Sequence, residues 1–509
     1  MQRFLFCVSV GMLSLLFSCK KDITHSPQNR TSASGEQLAR LNCASCHQFP
    51  EPSLLDKDTW QNYMLPRMGY MFGIYSTSEE RAALFENNEG GTIVLESDLF
   101  PAVPTLDSLS WEAIQQYYLS EAPDSLPLPP QKKISNTLKQ FQIRIPKQKV
   151  TIPSSTLVQF TDAGNLYLGD AMTQSFSVFS NGLELLETGN LAEGVVSIKT
   201  IQDEQWLTVM GSFSPTDAPL GSIVRMPKNQ PNVAETVIDQ LQRPVHASYS
   251  DLNNDGETDI VVCEFGKWTG ALSLFIKNEQ GYGKEVLHPF PGAIKAYVRD
   301  MNSDGHDDIV ALFAQGDEGI DIFYNDGQAN FRRERVLSFS PSMGSSFFKL
   351  IDYDQDGALD IIFTAGDNAD YKPVMKPWHG VYVFLNNGAN AFEQEVFLHL
   401  NGAYNAVAND FDADGDMDIA AISFFPDWVN TPEESFVYFQ KEGNDYHLQT
   451  FPKVNVGRWI VMDAADYDND GDTDLVLGSL AFEVIPKLGY VEKWMASGIP
   501  FVVLENTQQ

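Results

Sequence analysis

Five acidic loops of one pattern constrain this chain more than any other feature. They are "DLNNDGETD" from Asp251, "DMNSDGHDD" from Asp300, "DYDQDGALD" from Asp352, "DFDADGDMD" from Asp410 and "DYDNDGDTD" from Asp466. Each sets oxygen-bearing side chains at positions 1, 3, 5 and 9 and glycine at position 6. Carboxylates crowded at that alternation repel one another unless a hard cation sits among them, and glycine permits the sharp turn that wraps it. One Ca²⁺ per loop is therefore expected. The candidate ligands are Asp251, Asn253, Asp255, Glu257 and Asp259; Asp300, Asn302, Asp304, His306 and Asp308; and Asp352, Asp354, Asp356, Ala358 and Asp360. The last two loops offer Asp410, Asp412, Asp414, Asp416 and Asp418, then Asp466, Asp468, Asp470, Asp472 and Asp474. Position 7 enters through its backbone carbonyl, so the His306 and Ala358 side chains need not bind metal.

The flanks are not the helices of an EF-hand. "VHASYS" precedes the first loop and "DIVVCEF" follows it, so the unit is strand, loop, strand. A third strand such as "GVYVFLNNGANAF" and a fourth such as "EQEVFLHL" complete a four-stranded antiparallel blade. Two earlier segments keep the blade but not the acidic loop, with turns at 162–165 and 202–205, giving seven blades; six or eight is the alternative count. The chain ends on a third strand, "IPFVVLENTQQ", and "FQIRIPKQ" (141–148) has no repeat of its own. That segment is expected to supply the missing outer strand and close the ring, which removes an exposed edge. Over roughly residues 245–509 the loops and strands resemble FG-GAP (VCBS-type) repeats, which implies a mainly β, seven-bladed propeller over residues 141–509.

The chain carries 34 Lys and Arg against 68 Asp and Glu, a formal charge of −34. Such a surface repels phosphate backbones, so nucleic acid is excluded as a partner. Residues 1–18 read as an export signal: Arg3, an apolar run, and a small residue before Cys19. "LFSC" resembles a bacterial lipobox. The resemblance implies lipidation at Cys19, a bacterial envelope location and a membrane reached only through that anchor. The polar stretch 19–35 is a flexible tether. Cys263, inside "DIVVCEF", reads as a buried free thiol.

"NCASCHQ" places Cys43, Cys46 and His47 in a C-x-x-C-H, the attachment signature of c-type haem. One helical turn brings both thiols to a single porphyrin and sets His47 beneath the iron. A zinc site would need more Cys or His nearby, and residues 48–245 have none. Distal ligation falls to a methionine of "WQNYMLPRMGYMFG": Met68 first, in a loop bent by Pro66 and Gly69, then Met71 and Met64. "SWEAIQQYYLSEAP" closes the unit as a helix capped by Ser110. Residues 36–125 resemble a small all-α cytochrome c domain in this motif and final aromatic helix, and 126–140 form a linker.

Long connections between second and third strands (264–270, 364–380, 423–435, 478–498) should gather on one face. They carry Trp268, Tyr371, Trp378, His379, Trp428 and Trp494 with Lys267, Lys376, Lys487 and Asp427. Such a face suits a carbohydrate, a quinone or a docked protein, although long loops also pack on one another through aromatics. Three functions fit: electron transfer to a redox partner protein or quinone, oxidation of an organic substrate with electrons passing to haem, and non-enzymatic binding of carbohydrate or protein. The first fits best, and no catalytic motif of a hydrolase or kinase is present.

Overall fold

The secondary structure divides as the sequence periodicities do, helices first and strands from residue 141 onward, with one late helix, Tyr490–Ser497. A computed structural model describes residues 33–507 except 131, 192, 229, 231, 232, 370, 371 and 483–487. The export signal, Cys19, most of the tether, Tyr371 and Lys487 lie outside the described residues.

Among the described residues the strands form seven four-stranded antiparallel sheets, six of them meanders in chain order, and so a seven-bladed propeller. The two loop-free blades run from Ser155 to Asn190 and from Val195 to Leu241. In the second of these the turn is tighter than the sequence suggests: Gln202 adopts φ 56° and Glu204 already begins the next strand. Blades three to six open at Pro244, Ala293, Ser345 and Ala403. Blade seven comprises Trp459–Ala465, Asp474–Ser479 and Phe501–Asn506, and its outer strand is Phe141–Arg144, paired antiparallel with Phe501–Asn506. The ring is latched by side chains as well. Phe141 is buried edge-on against Phe411 and Tyr438, and Arg144 pairs with Glu505 at 2.6 Å.

Every residue of the second strands Asp259–Glu264, Asp308–Phe313, Asp360–Ala365, Asp418–Ser423 and Asp474–Ser479 is buried. These strands are covered on both faces by neighbouring blades, which is why they read as continuous apolar runs rather than alternations. The core accordingly lies between blades: Val261 and Ile309 share one cluster, Val310 and Ile361 the next. Cys263 is free and fully buried there. The innermost strand of every blade carries a register shift near its start, as between Pro244 and His246 or Ala293 and Lys295. Such bulges bend a strand and re-aim its side chains, here around the axial channel.

The helical unit packs Gly35–Cys43 across Ser108–Glu121 over Ala39, Trp60, Trp111, Ile114 and Tyr118. The crossing is close: a Cβ on Gly35 would lie 2.3 Å from the Ala113 carbonyl oxygen. Two sequence expectations fail here. "LPRMG" is no bent loop but the helix Leu65–Met71, because Pro66 sits in its first turn, where a missing N–H costs nothing. A π turn over Trp60–Met64 leads into it, the Leu65 N–H reaching Trp60 O. The final helix is capped by Asp107, whose carboxylate accepts the Ser110 N–H at 3.0 Å, so Ser110 is not the cap. The segment expected as a linker is held too. Ser135 exchanges backbone bonds with Leu448 and Thr450 at the open edge of blade six, and Leu138 is buried.

Phe141→Ala should lower the stability of the propeller by about 3–5 kcal/mol, the cost of emptying a buried aromatic site. Urea unfolding followed by tryptophan fluorescence measures this, and an unchanged midpoint would mean that the latch is not needed.

Candidate functional site

The helix Gly35–Cys43 ends in a turn that carries Cys46 and His47 outward. Both thiols are free, Cys43 buried and Cys46 exposed. Burial pushes the Cys43 thiol up to about 11, so it is held protonated. His47 Nδ1 lies 2.6 Å from the Gln48 carbonyl oxygen; an Nδ1–H donating there leaves Nε2 as the free, basic nitrogen. Tyr118 donates to Pro50 O at 2.9 Å and its ring meets Trp60 at 4.4 Å, which fixes the chain that follows the motif. Met64, Met68 and Met71 border the same cavity as Cys43, Cys46 and His47. Met64 and Met68 also pack on the helical core, and Met71 does not. Two thiols, an imidazole with an open nitrogen and three thioethers are a donor set that fits haem c.

The helical unit sits on the propeller face that bears the second-to-third-strand loops. Glu86 pairs with Lys267 at 2.9 Å and accepts the Thr216 hydroxyl, and Phe100 meets Trp268 edge-on at 5.1 Å. Gly90 lies so close to the 217–218 backbone that a Cβ would stand 2.4 Å from the Ala218 nitrogen. Lys372 reaches Asp58 at 3.5 Å. Lys267 and Trp268, read from sequence as part of a docking face, are thus met by the chain's own helices. Its other described aromatics are taken up inside the propeller. Trp428 and Trp494 are buried together beside Tyr490, Trp378 Nε1–H donates to Ser342 O, and His379 and Lys376 are buried. Asp427 is spent on a turn, accepting the Val429 and Asn430 N–H groups.

Between helices and propeller lies one continuous cavity of about 1910 Å³, roughly twice the upper end of ordinary small-molecule pockets. It runs from the Cys43–His47 turn into the axial channel, where His246, Lys295, Lys349 and Asp463 line it. Sequence reading missed Glu86 and Thr216, and it missed the channel groups. The signal for the latter was present: Lys295, Lys349 and Asp463 interrupt innermost strands that elsewhere carry small or apolar residues.

On the opposite end of the blades the five acidic loops share one conformation. Position 4 is left-handed in each, from φ 57° at Ala413 to 64° at Asn469, and the glycine follows at 88–100° with open space around it. The first aspartate accepts the N–H of position 6, and position 5 accepts the N–H of position 7, in every loop. Carboxylates converge in three loops: Asp352, Asp354 and Asp356; Asp410, Asp412 and Asp418; Asp466, Asp468 and Asp474. Asp352 Oδ1, Asp412 Oδ1, Asp468 Oδ1 and both Asp472 oxygens are buried without a partner. Burial, then neighbouring carboxylates, pushes Asp472 up to about 6, and burial pushes Asp418 to about 6 and Asp474 to about 7. Orphaned, crowded oxygens of this kind fit a hard divalent cation. In the first two loops asparagine stands at position 3, and Asn253 and Asn302 donate instead to Asp255 and Asp304. His306 turns its ring toward Gly327 and Asn254, away from ligand duty.

The ninth residue does something the sequence did not reveal. Asp259, Asp308, Asp360 and Asp474 are fully buried, one oxygen taking the N–H of loop position 2 and the other an N–H of the third strand. Asp418 keeps the third-strand bond, to Lys441 N, and receives the Tyr438 hydroxyl in place of the first.

The chain therefore contains FG-GAP-like repeats: the model of that repeat matches residues 251–311 and 300–363, which hold the first three loops. It is a seven-bladed propeller built of them in part. Among curated proteins none matches the sequence. Among solved structures the chain is similar to a streptogramin B lyase, at 9% identity and TM-score 0.46 over 72% of this chain and 98% of that one. It is likewise similar to virginiamycin B lyase from Staphylococcus aureus, at 10% identity and TM-score 0.44 over 72% and 99%. The N-terminal domain of Nup159 aligns at 10% identity and TM-score 0.41 over 75% and 98%.

Two outcomes follow from this geometry. Asp360→Ala orphans the Tyr353 and Asn386 N–H groups, so it should cost about 2–5 kcal/mol in chelator and in calcium alike. Asp356→Ala in the same loop should cost appreciably only when calcium is present. Chemical denaturation of both variants in the two buffers separates ligand from bracket. Glu86 sets the second outcome. Burial raises its pKa, but the bonds from Thr216, Lys267 and Asn88 outweigh burial and hold it below 4.5. Its contribution to docking is then complete above pH 4.5 and is lost as pH falls through the lower folded value. Glu86→Ala should remove about 1–3 kcal/mol of docking at neutral pH, read as faster protease cleavage within residues 126–134.

Proposed function

We propose that this chain is an electron-transfer protein of the bacterial cell envelope that carries one covalent haem c, with a calcium-stapled propeller as its ligand or partner platform. The observation that supports it is the set of Cys43, Cys46, His47 and three methionines bordering one cavity. Cys43 and Cys46 would carry the thioether bonds, His47 would be the proximal ligand, and Met68 the distal one, with Met71 and Met64 behind it. Haem bound there would supply one-electron chemistry. The chain's own residues orient His47 through Gln48 O, and Leu55 and Phe72 line the cavity beside it. The partner would be a redox protein or a quinone, and Cys19 would hold the chain to the membrane by its lipid. No helix among the described residues is long and apolar enough to cross a membrane. One observation favours a second reading, oxidation of an organic substrate such as a sugar: the cavity continues into the axial channel, under the same helices. A carbohydrate- or protein-binding lipoprotein without redox activity would show no covalent haem.

Exported protein made with a haem-attachment system should keep its colour through denaturation and acid–organic extraction; freely extracted pigment, or none, sinks the reading. Met68→Ala should alter the low-spin spectrum and lower the midpoint potential, because a thioether ligand favours ferrous iron. Cys19→Ser should move the protein from membrane to soluble fractions. Chelator should lower the melting temperature of the β-structure and leave the haem absorbance transition in place.

A further inference from the structure

The wall of the central cavity inverts the charge balance of the chain. Overall 68 acidic residues face 34 basic ones, yet nine Lys and Arg line the cavity against five Asp and Glu. Two of the nine stand out. The Lys295 ammonium rests 4.0 Å from the ring centre of Phe347 and 5.2 Å from that of Tyr297. Lys349 stands on the innermost strand of the next blade. Neither makes a hydrogen bond or salt bridge among the described residues. The carboxylate acting on both is Asp463, whose Oδ2 already accepts the Phe160 N–H at 2.9 Å. His246 is kept neutral by burial. Two ammonium groups against one carboxylate leave a single positive charge on half-buried side chains, where an uncompensated charge is costly. One blade further on, Asn405 lines the same cavity, and its buried Oδ1 has no donor.

We propose that the axial channel binds a small hydroxylated organic monocarboxylate, its carboxylate between Lys295 and Lys349 and a hydroxyl donating to Asn405. A monoanion cancels the one net charge; a dianion overshoots it. The hydroxyl supplies the donor that Asn405 Oδ1 lacks, and the rings of Phe347 and Tyr297 cover the carbon skeleton. Burial first, then Lys349, pushes Lys295 down to about 7, so the empty channel holds its second positive charge poorly, and a bound carboxylate restores it. The site stands on the propeller alone. It deepens the substrate-oxidising reading but does not need it, since a protein without haem would still bind the acid.

The test is titration calorimetry on the full mature chain with D-gluconate, butyrate, inorganic phosphate and glucose. Gluconate should bind more tightly than butyrate, and glucose should not bind. Lys295→Met and Lys349→Met should each weaken gluconate by at least about tenfold, whereas Lys372→Met, outside the cavity lining, should change nothing. Asn405→Leu should erase the preference of gluconate over butyrate. Lys295→Met should melt no lower than the unaltered protein, because it removes an unpaired ammonium, and so a binding loss in that variant is not a folding loss. Glucose binding as tightly as gluconate, phosphate binding where carboxylates do not, no binding of any probe at millimolar concentration, or lysine variants that bind as before would each overturn the proposal. Colourless protein that binds gluconate would sink the haem reading and keep this one.

Discussion

A buried aspartate with both oxygens hydrogen-bonded, to two backbone amides in four acidic blades and to one amide and the Tyr438 hydroxyl in the fifth, is the interaction on which each acidic blade depends. Asp360 joins the loop at Tyr353 N to the third strand at Asn386 N, and Asp474 does the same from Tyr467 N to Asn506 N. A charge at zero exposure survives only if such donors surround it. In the last two loops the bracket residue, Asp418 or Asp474, also stands in the carboxylate cluster, so a cation bound there would tighten the hairpin and the third strand together. The two blades without acidic loops have turns of their own: Thr161 N–H reaches Asn165 O in the first, and Gln202 turns left-handed in the second. Five blades with acidic loops and two without them make a ring of unequal parts.

The β architecture was legible because it is written five times over. Aspartate at position 9 opens each second strand, glycine at position 6 marks each turn, and the apolar runs between have the length of strands. Counting strands even exposed the vacancy filled by Phe141–Arg144. The site was legible only where chemistry is local in sequence, as in Cys43, Cys46 and His47. Glu86, Thr216 and Lys267 come from three distant segments with no shared periodicity, and only the fold brings them together. Lys295 and Lys349 lay hidden in strands whose alternation says which residues share a face, not which face meets the axis; the bulge near each strand's start decides that. The loop aromatics misled for the opposite reason. Trp428 and Trp494 look like a binding surface in sequence and are core in the fold.

The helical unit changes the meaning of the propeller face it occupies. A platform open to large partners is partly roofed by helices of the same chain, anchored at Glu86, Phe100 and Gly90. What remains accessible is a partly roofed, basic space in an acidic molecule. Low dielectric and focused positive potential favour small anions there and disfavour the chain's own surface.

The outer strand of blade seven comes from residues 141–144, and Gln140 bonds to Asn506 across 366 positions of sequence. During synthesis the helical unit and that strand emerge first, and their partner emerges last. Until then the strand is an unpaired ribbon and the first six blades form an arc with two raw ends. The helical unit can therefore fold while the ring is still open, and closure waits on the strand Phe501–Asn506. Loss of the strand Phe501–Asn506 would leave the six preceding blades intact in sequence yet unable to complete the circle, with Asp474–Ser479 and Phe141–Arg144 both lacking the strand they pair with.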